Sequence, residues 1–153
     1  MNDKLETVLL KAAVMTFEEL GFMLPTPKLD ESQQHATAQA AVGVQFRGLF
    51  AGELVVLVCG DWLPRLAANM LGEDEPPSLL QQFDALGEIA NVICGNVLPQ
   101  IAGPQVIFNL SAPCPVEIPQ MAAIDPECPA AKTQLGLETG RAEVRLYLHS
   151  ETA

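Results

Sequence analysis

Residues 79–102 read Leu79-Leu-Gln-Gln-Phe83-Asp84-Ala-Leu86-Gly-Glu88-Ile-Ala90-Asn91-Val-Ile93-Cys94-Gly95-Asn96-Val97-Leu-Pro99-Gln-Ile101-Ala102. Placed on a helical wheel at about 100° per residue, Leu79, Phe83, Leu86, Ala90, Ile93, Val97 and Ile101 gather on one side as a stripe made for a core. Gln81, Asp84, Glu88, Asn91 and Gly95 gather nearly opposite. The spacing therefore predicts one long helix over 79–102, with Ser78 as its cap and Pro99 bending or ending it. Glu88 and Asn91 stand three apart, so their side chains are neighbours on the outer face. That face carries no lysine or arginine, only carboxylates, carboxamides and a glycine. Gly95 costs about 1 kcal/mol in a helix relative to alanine, and it permits another body to approach closely. The face has the character of a docking surface, although exposed Glu and Asn at this spacing also occur on ordinary solvated helices.

Glu88 and Asn91 are poor nucleophiles, and no Ser, Cys and His set lies near them. The phosphate-cradling Gly-x-x-x-x-Gly-Lys loop is absent. A carboxamide, however, holds a water by donating and accepting hydrogen bonds at once, the task of the water-positioning glutamine in GTPases.

Asp84-x-x-x-Glu88-x-x-Asn91, set within Leu86-Gly-Glu-Ile-Ala-Asn-Val-Ile-Cys-Gly-Asn96, resembles the signature helix of the CheC–CheX–FliY phosphatases. In that pattern an Asp or Ser, a Glu and an Asn at these spacings precede a distant proline. Met70-Leu-Gly72 is similar to the end of the preceding helix in CheX-type members, and Ser111-Ala-Pro113 to the loop bearing the proline. Pro113 and Pro115 straddle the usual spacing, a departure from the pattern that leaves the choice between them open. CheC-type members carry a second Glu-x-x-Asn in the first helix. Here Glu18 and Glu19 are followed by Gly21 and Phe22, which fits the single-site CheX type.

The resemblance implies a substrate, the aspartyl phosphate of a response-regulator receiver domain such as CheY. Asn91 would orient the attacking water and Glu88 would contact the receiver's lysine. Asp84, Gly95 and Pro113 would support the site or bind the partner. The receiver would bring its own Mg²⁺, so no cofactor is expected on this chain. The resemblance also implies a CheC-like fold and a homodimer, for which the strand at 143–149 offers an apolar edge. Two other readings stay open: a scaffold that binds receivers without hydrolysing them, and a metal or small-molecule binder using Cys94 and Cys114.

Length and composition bound these readings. The 153 residues fit one domain over 1–153, and 49% are apolar, which excludes a disordered chain. A net charge of −11 argues against nucleic acid or anionic membrane as partner. It also denies long-range attraction to an acidic receiver, leaving recognition to Glu88 and to apolar neighbours such as Ala85 and Val92. Without a long apolar run or a signal-like start, a cytoplasmic protein is expected. Cys59, Cys94, Cys114 and Cys128 form no Cys-x-x-Cys pair, so buried thiols are expected rather than disulfides or a metal site.

Elsewhere, a helix is expected from Asn2 or Asp3 to Glu19 or Leu20, stopped by Gly21 and buried through Leu5, Val8, Leu9, Ala12, Met15 and Leu20. Residues 25–39 read as a loop. Residues 41–46 and 49–59 alternate as a hairpin around Arg47-Gly48, and Val55 to Val58 suggest a central strand covered on both faces. Asp61 is a candidate cap for a helix to Leu71. After a strand at 106–110, residues 111–119 read as a proline-rich extended loop or edge segment and 121–131 as another loop. A last hairpin joins 133–137 to 143–149, with Val144, Leu146 and Leu148 facing one way and Glu143, Arg145 and Tyr147 the other. Together these make an α+β domain, a mostly antiparallel sheet with an N-terminal helix and a long central helix packed on it.

Overall fold

The computed structural model describes residues 2–26, 28–72, 75–117 and 129–149. In chain order its elements are helix α1 (Asn2–Glu19), the one-turn helix α2 (Glu31–Gln34), strands β1 (Ala38–Arg47) and β2 (Ala51–Cys59), helices α3 (Leu63–Leu71) and α4 (Leu79–Ala102), the two-residue strands β3 (Asn109–Leu110) and β4 (Cys114–Pro115), and strands β5 (Ala131–Leu137) and β6 (Gly140–His149). The strands form one antiparallel sheet in the order β3-β1-β2-β6-β5, with β4 also on β1. Both expected hairpins are present, and the α+β class follows.

One face of the sheet meets α1, α3 and α4. Val42, Val44, Leu54, Val56, Val58, Val144 and Leu146 pack there against Leu9, Phe17, Trp62, Leu66, Leu86, Ile89 and Ile93. Trp62 is held in place by its indole N–H, which donates to the carbonyls of Cys59 (3.0 Å) and Arg141 (3.1 Å), and Phe17 meets its ring edge-on. On the other face Ala41, Val55, Leu57, Cys59 and Tyr147 form a smaller apolar cluster, so the apolar run of β2 is buried on both sides. Glu143 and Arg145 share that second face and are buried as well. Glu143 accepts hydrogen bonds from Arg145 (2.9 Å), Arg141 (3.3 Å) and Gln134 (2.7 Å). Strict alternation reads as a solvated face, but here charge pairing makes burial tolerable.

Several expectations are corrected. The strand ending at His149 is not an edge. It pairs with β2 from Cys59–Arg141 to Ala51–His149 and, from Gly140 to Leu146, with β5 on its other side, so that stretch offers no open edge to a second copy. The outer strand is β5, bridged at one end by Thr26–Gly136. Trp62 rather than Asp61 occupies the cap position of α3, without a side-chain cap bond. Gly21 follows α1, but the left-handed residue is Phe22 (φ 53°). Gly21 is needed for space, since a Cβ there would stand 2.9 Å from the Phe17 carbonyl oxygen, a backbone atom, and would also meet Leu66 Cδ1. Met15 and Leu79 are exposed, and α1 instead buries Ala13, Thr16 and Phe17. Residues 25–39 include α2, and only Asn109–Leu110 of the strand at 106–110 forms. Residues 73–74 and 118–128, among them Cys128 and much of the expected loop at 121–131, lie outside the described residues.

Helix α4 has the predicted bounds. Ser78 and Gln81 cap it reciprocally: the Gln81 N–H donates to Ser78 Oγ (3.1 Å) and the Ser78 N–H to Gln81 Oε1 (2.8 Å). Pro99 does not end the helix. The chain continues to Ala102 and stops at Gly103, whose φ of 105° is a conformation open chiefly to glycine.

Candidate functional site

The orientation of α4 is fixed by what it buries. Leu86, Ile89, Ala90, Ile93 and Val97 are at most 1% exposed, and they lock the opposite side of the helix outward. Asp84, Glu88 and Gly95 are accordingly exposed and Asn91 is half-buried. Among the described residues, no hydrogen bond or ion pair engages the side chains of Glu88 or Asn91. Their donors and acceptors face outward for something else to use.

Asn91 and Asp84 line one cleft of about 330 Å³, together with Val42, Leu80, Phe83, Gly87, Pro113 and Pro115. Its far wall is the 109–116 segment, pinned along the edge of β1. The Ser111 N–H donates to the Gln45 carbonyl (2.8 Å), and the Gln45 N–H returns a bond to Ser111 Oγ (3.0 Å). Cys114 pairs with Gly43 and Pro115 with Val42, and the Val116 N–H donates to the Ala41 carbonyl (2.9 Å). Between these two anchors Pro113 reaches α4 itself, where a Cβ on Gly87 would lie 2.8 Å from Pro113 Cβ and 3.1 Å from Cγ. Of the two candidate prolines, Pro113 is the one seated on the helix, while Pro115 belongs to β4.

The structure thus brings Asp84, Asn91 and Pro113 to one cleft, with Glu88 beside them on the same exposed helix surface. Gly95 is exposed, and nothing lies within 4 Å of where its Cβ would be. Among the described residues, packing does not account for that glycine. Ala85 is buried, so it is no contact for a partner, and Val92 is half-buried. Sequence reasoning missed Gly87, Leu80 and Phe83 as lining residues. A glycine in mid-helix was the available signal for Gly87. A larger cleft of about 460 Å³ opens between Gln45, Arg47, Asn109, Ser111 and His149, and it holds none of the residues that the helix pattern singled out.

Cys94 is fully buried, and burial pushes its thiol up to about 12. It is held as the neutral thiol and is a poor metal ligand. Among the described residues, no group of three or more His, Cys, Asp or Glu stands close enough together to hold a metal ion. Among them too, no helix is long and apolar enough to cross a membrane.

Comparison with known proteins adds to this geometry. A family model described as "Chemotaxis phosphatase CheX" matches residues 38–136, from the start of β1 into β5 and across the whole cleft. In fold the chain is similar to chemotaxis protein CheX from Vibrio vulnificus, with a TM-score of 0.69 at 14% identity over 95% of this chain and 96% of that one. Chemotaxis protein CheX from Desulfovibrio desulfuricans gives 0.69 at 15% identity over 95% and 99%. A CheX–CheY–BeF3–Mg²⁺ complex from Borrelia burgdorferi gives 0.65 at 16% identity over 94% and 97%. The search of curated proteins finds no match.

Proposed function

The chain belongs to the CheX family of chemotaxis phosphatases, and we propose that it removes the phosphoryl group from the aspartyl phosphate of a CheY-like receiver domain. One observation carries this reading: a carboxamide, Asn91, unengaged among the described residues, on a cleft at the centre of a cation-free helix face. The substrate is an acyl phosphate, which water hydrolyses readily once aligned. Water attacks phosphorus, the bond from phosphorus to the aspartyl oxygen breaks, and aspartate and inorganic phosphate leave with both protons of the water on the phosphate. Asn91 accepts a hydrogen from that water and so aims its lone pair in line. Such positioning is worth on the order of a hundredfold in rate, or about 2.7 kcal/mol.

Glu88, one turn back, meets the receiver's lysine in a charge-assisted contact. Asp84 keeps the cleft polar beside Asn91, Pro113 forms its wall, and Gly95 leaves the helix open to the receiver's surface. Mg²⁺ arrives with the receiver, in keeping with the Borrelia neighbour, which was crystallised as a complex with CheY, BeF3 and Mg²⁺. There BeF3 stands in for the phosphoryl group. The reading implies a cytoplasmic protein. The assembly we favour is a homodimer whose pairing edge is β5, and a monomer at micromolar concentration in sedimentation would rule it out.

The test is phosphate release from a panel of phosphorylated receivers, with and without this protein. Acceleration for at least one receiver supports the reading. Binding of phosphorylated receivers without any change in their lifetime would replace it with a scaffold.

A further inference from the structure

We propose that Gly87 is a positioning residue: its missing Cβ is the seat on which Pro113 rests, and that seat sets the width of the cleft at Asn91. This inference rests on the phosphatase reading for its kinetic consequence, but not for its geometry. Gly87 lies three residues after Asp84 and four before Asn91, so all three occupy one side of the helix. A glycine at mid-helix is a standing cost of about 1 kcal/mol relative to alanine. Here the space it leaves is filled, because a Cβ would approach Pro113 Cβ to 2.8 Å and Cγ to 3.1 Å. Those atoms belong to a ring fused to the backbone and cannot swing aside as the end of a flexible side chain could.

Neither side of the contact yields easily. On the helix side, Leu86, Ile89, Ala90 and Ile93 are fully buried in the core. On the loop side, Pro113 is bracketed by the Ser111–Gln45 bonds and by the Cys114–Gly43 and Pro115–Val42 pairs. A methyl group at 87 therefore forces the loop off β1, or forces α4 to shift at the turn that carries Asn91. Both change the distance between Pro113 and the Asn91 carboxamide across the cleft. The helix as an isolated element gains propensity from the same change, so lost function would not be a lost helix.

The experiment compares the full chain with Gly87→Ala, Pro113→Gly and the double variant. Two readouts are taken: the Asn91 side-chain amide signals in ¹H–¹⁵N spectra of the protein alone, and turnover of a phosphorylated receiver. Gly87→Ala is expected to move the Asn91 amide signals while those of Asn96, exposed further along α4, stay in place. It is also expected to lower kcat at least tenfold while changing KM for the receiver less than twofold. Pro113→Gly removes both crowding atoms, so the double variant is expected to be no slower than Pro113→Gly alone. An unmoved Asn91 signal in Gly87→Ala would overturn the proposal, and so would losses that multiply in the double variant. Absence of turnover in the unsubstituted protein would strike the phosphatase reading alone, because the spectra decide the seat independently.

Discussion

Two adjacent residues of α4, Glu88 and Ile89, allow stability and activity to be separated. Ile89 is fully buried in the core, whereas Glu88 is exposed and unengaged. Truncating Ile89 to alanine removes every carbon beyond Cβ, forfeiting about 2.4 kcal/mol of transfer free energy at about 0.8 kcal/mol per group. The cavity left behind adds a further 1–2 kcal/mol, roughly, because α4 is held on both sides and the site collapses only in part. Ile89→Ala should therefore cost about 4 kcal/mol, which for a chain of this size is a fall in Tm of about 8–16 °C. Glu88→Ala should change stability by no more than about 0.5 kcal/mol, as for other surface positions away from structural contacts. The assay pairs thermal melting by circular dichroism with receiver dephosphorylation at 15 °C, where both variants are folded. Ile89→Ala should melt early yet turn over normally per folded molecule, and Glu88→Ala should melt normally yet turn over slowly. A Glu88→Ala protein with lowered Tm and unchanged turnover would refute the assignment of faces.

Other outcomes follow from the second face of the sheet and from the thiols. Glu143 loses from burial, but the Arg145 hydrogen bond and the charges of Lys132, Arg145 and Arg141 outweigh that loss and hold its carboxyl below the ordinary 4.5. Its contribution to stability is thus present above that value and lost as pH falls through the lower folded value. Burial pushes Glu53 above 4.5, partly offset by His149; its contribution is present below 4.5 and lost as pH rises through the raised folded value. Urea denaturation should show greatest stability near pH 4.5, where the two windows meet, with Glu53→Gln flattening the limb above the maximum. Glu143→Gln should weaken the buried cluster by about 3 kcal/mol, and equal midpoints for it and the unsubstituted protein would contradict that cluster. Alkylation mapped by mass spectrometry should mark exposed Cys114 well before Cys94 or Cys59, both buried with raised thiols. Early labelling of Cys94 would contradict the packing of α4.

Helix α4 and its outward pair were legible because a 3.6-residue period over many turns, opened by Ser78, admits few other readings, although Pro99 hid the true stop at Gly103. The hairpins were legible from alternation and short turns. Strand order was not, since the pairing of β2 with β6 depends on contacts far apart in sequence, and alternation says nothing about which strand ends outermost. The same distance hid the burial of Glu143 and Arg145, whose charges are made tolerable by one another and by Arg141. The α1 stop was half legible: the glycine at 21 was recognised, but its purpose is clearance from the Phe17 carbonyl and Leu66, and the left-handed turn falls to Phe22. In the candidate site, the pattern put Asp84, Glu88 and Asn91 on the side of α4 that faces away from the core, where the structure has them, and it left Pro113 and Pro115 equal. Only the contact of Pro113 with Gly87 separates them, and no local signal reports a contact between a helix and a loop beyond its end.

The central claim is that the Asn91 carboxamide aligns the attacking water, and the most direct measurement is the dephosphorylation rate of a responsive receiver with Asn91→Ala. The expected result is a fall of about a hundredfold toward the receiver's own rate, with an unchanged melting temperature and retained binding of the BeF3-loaded receiver. A rate equal to that of the unsubstituted protein would contradict it.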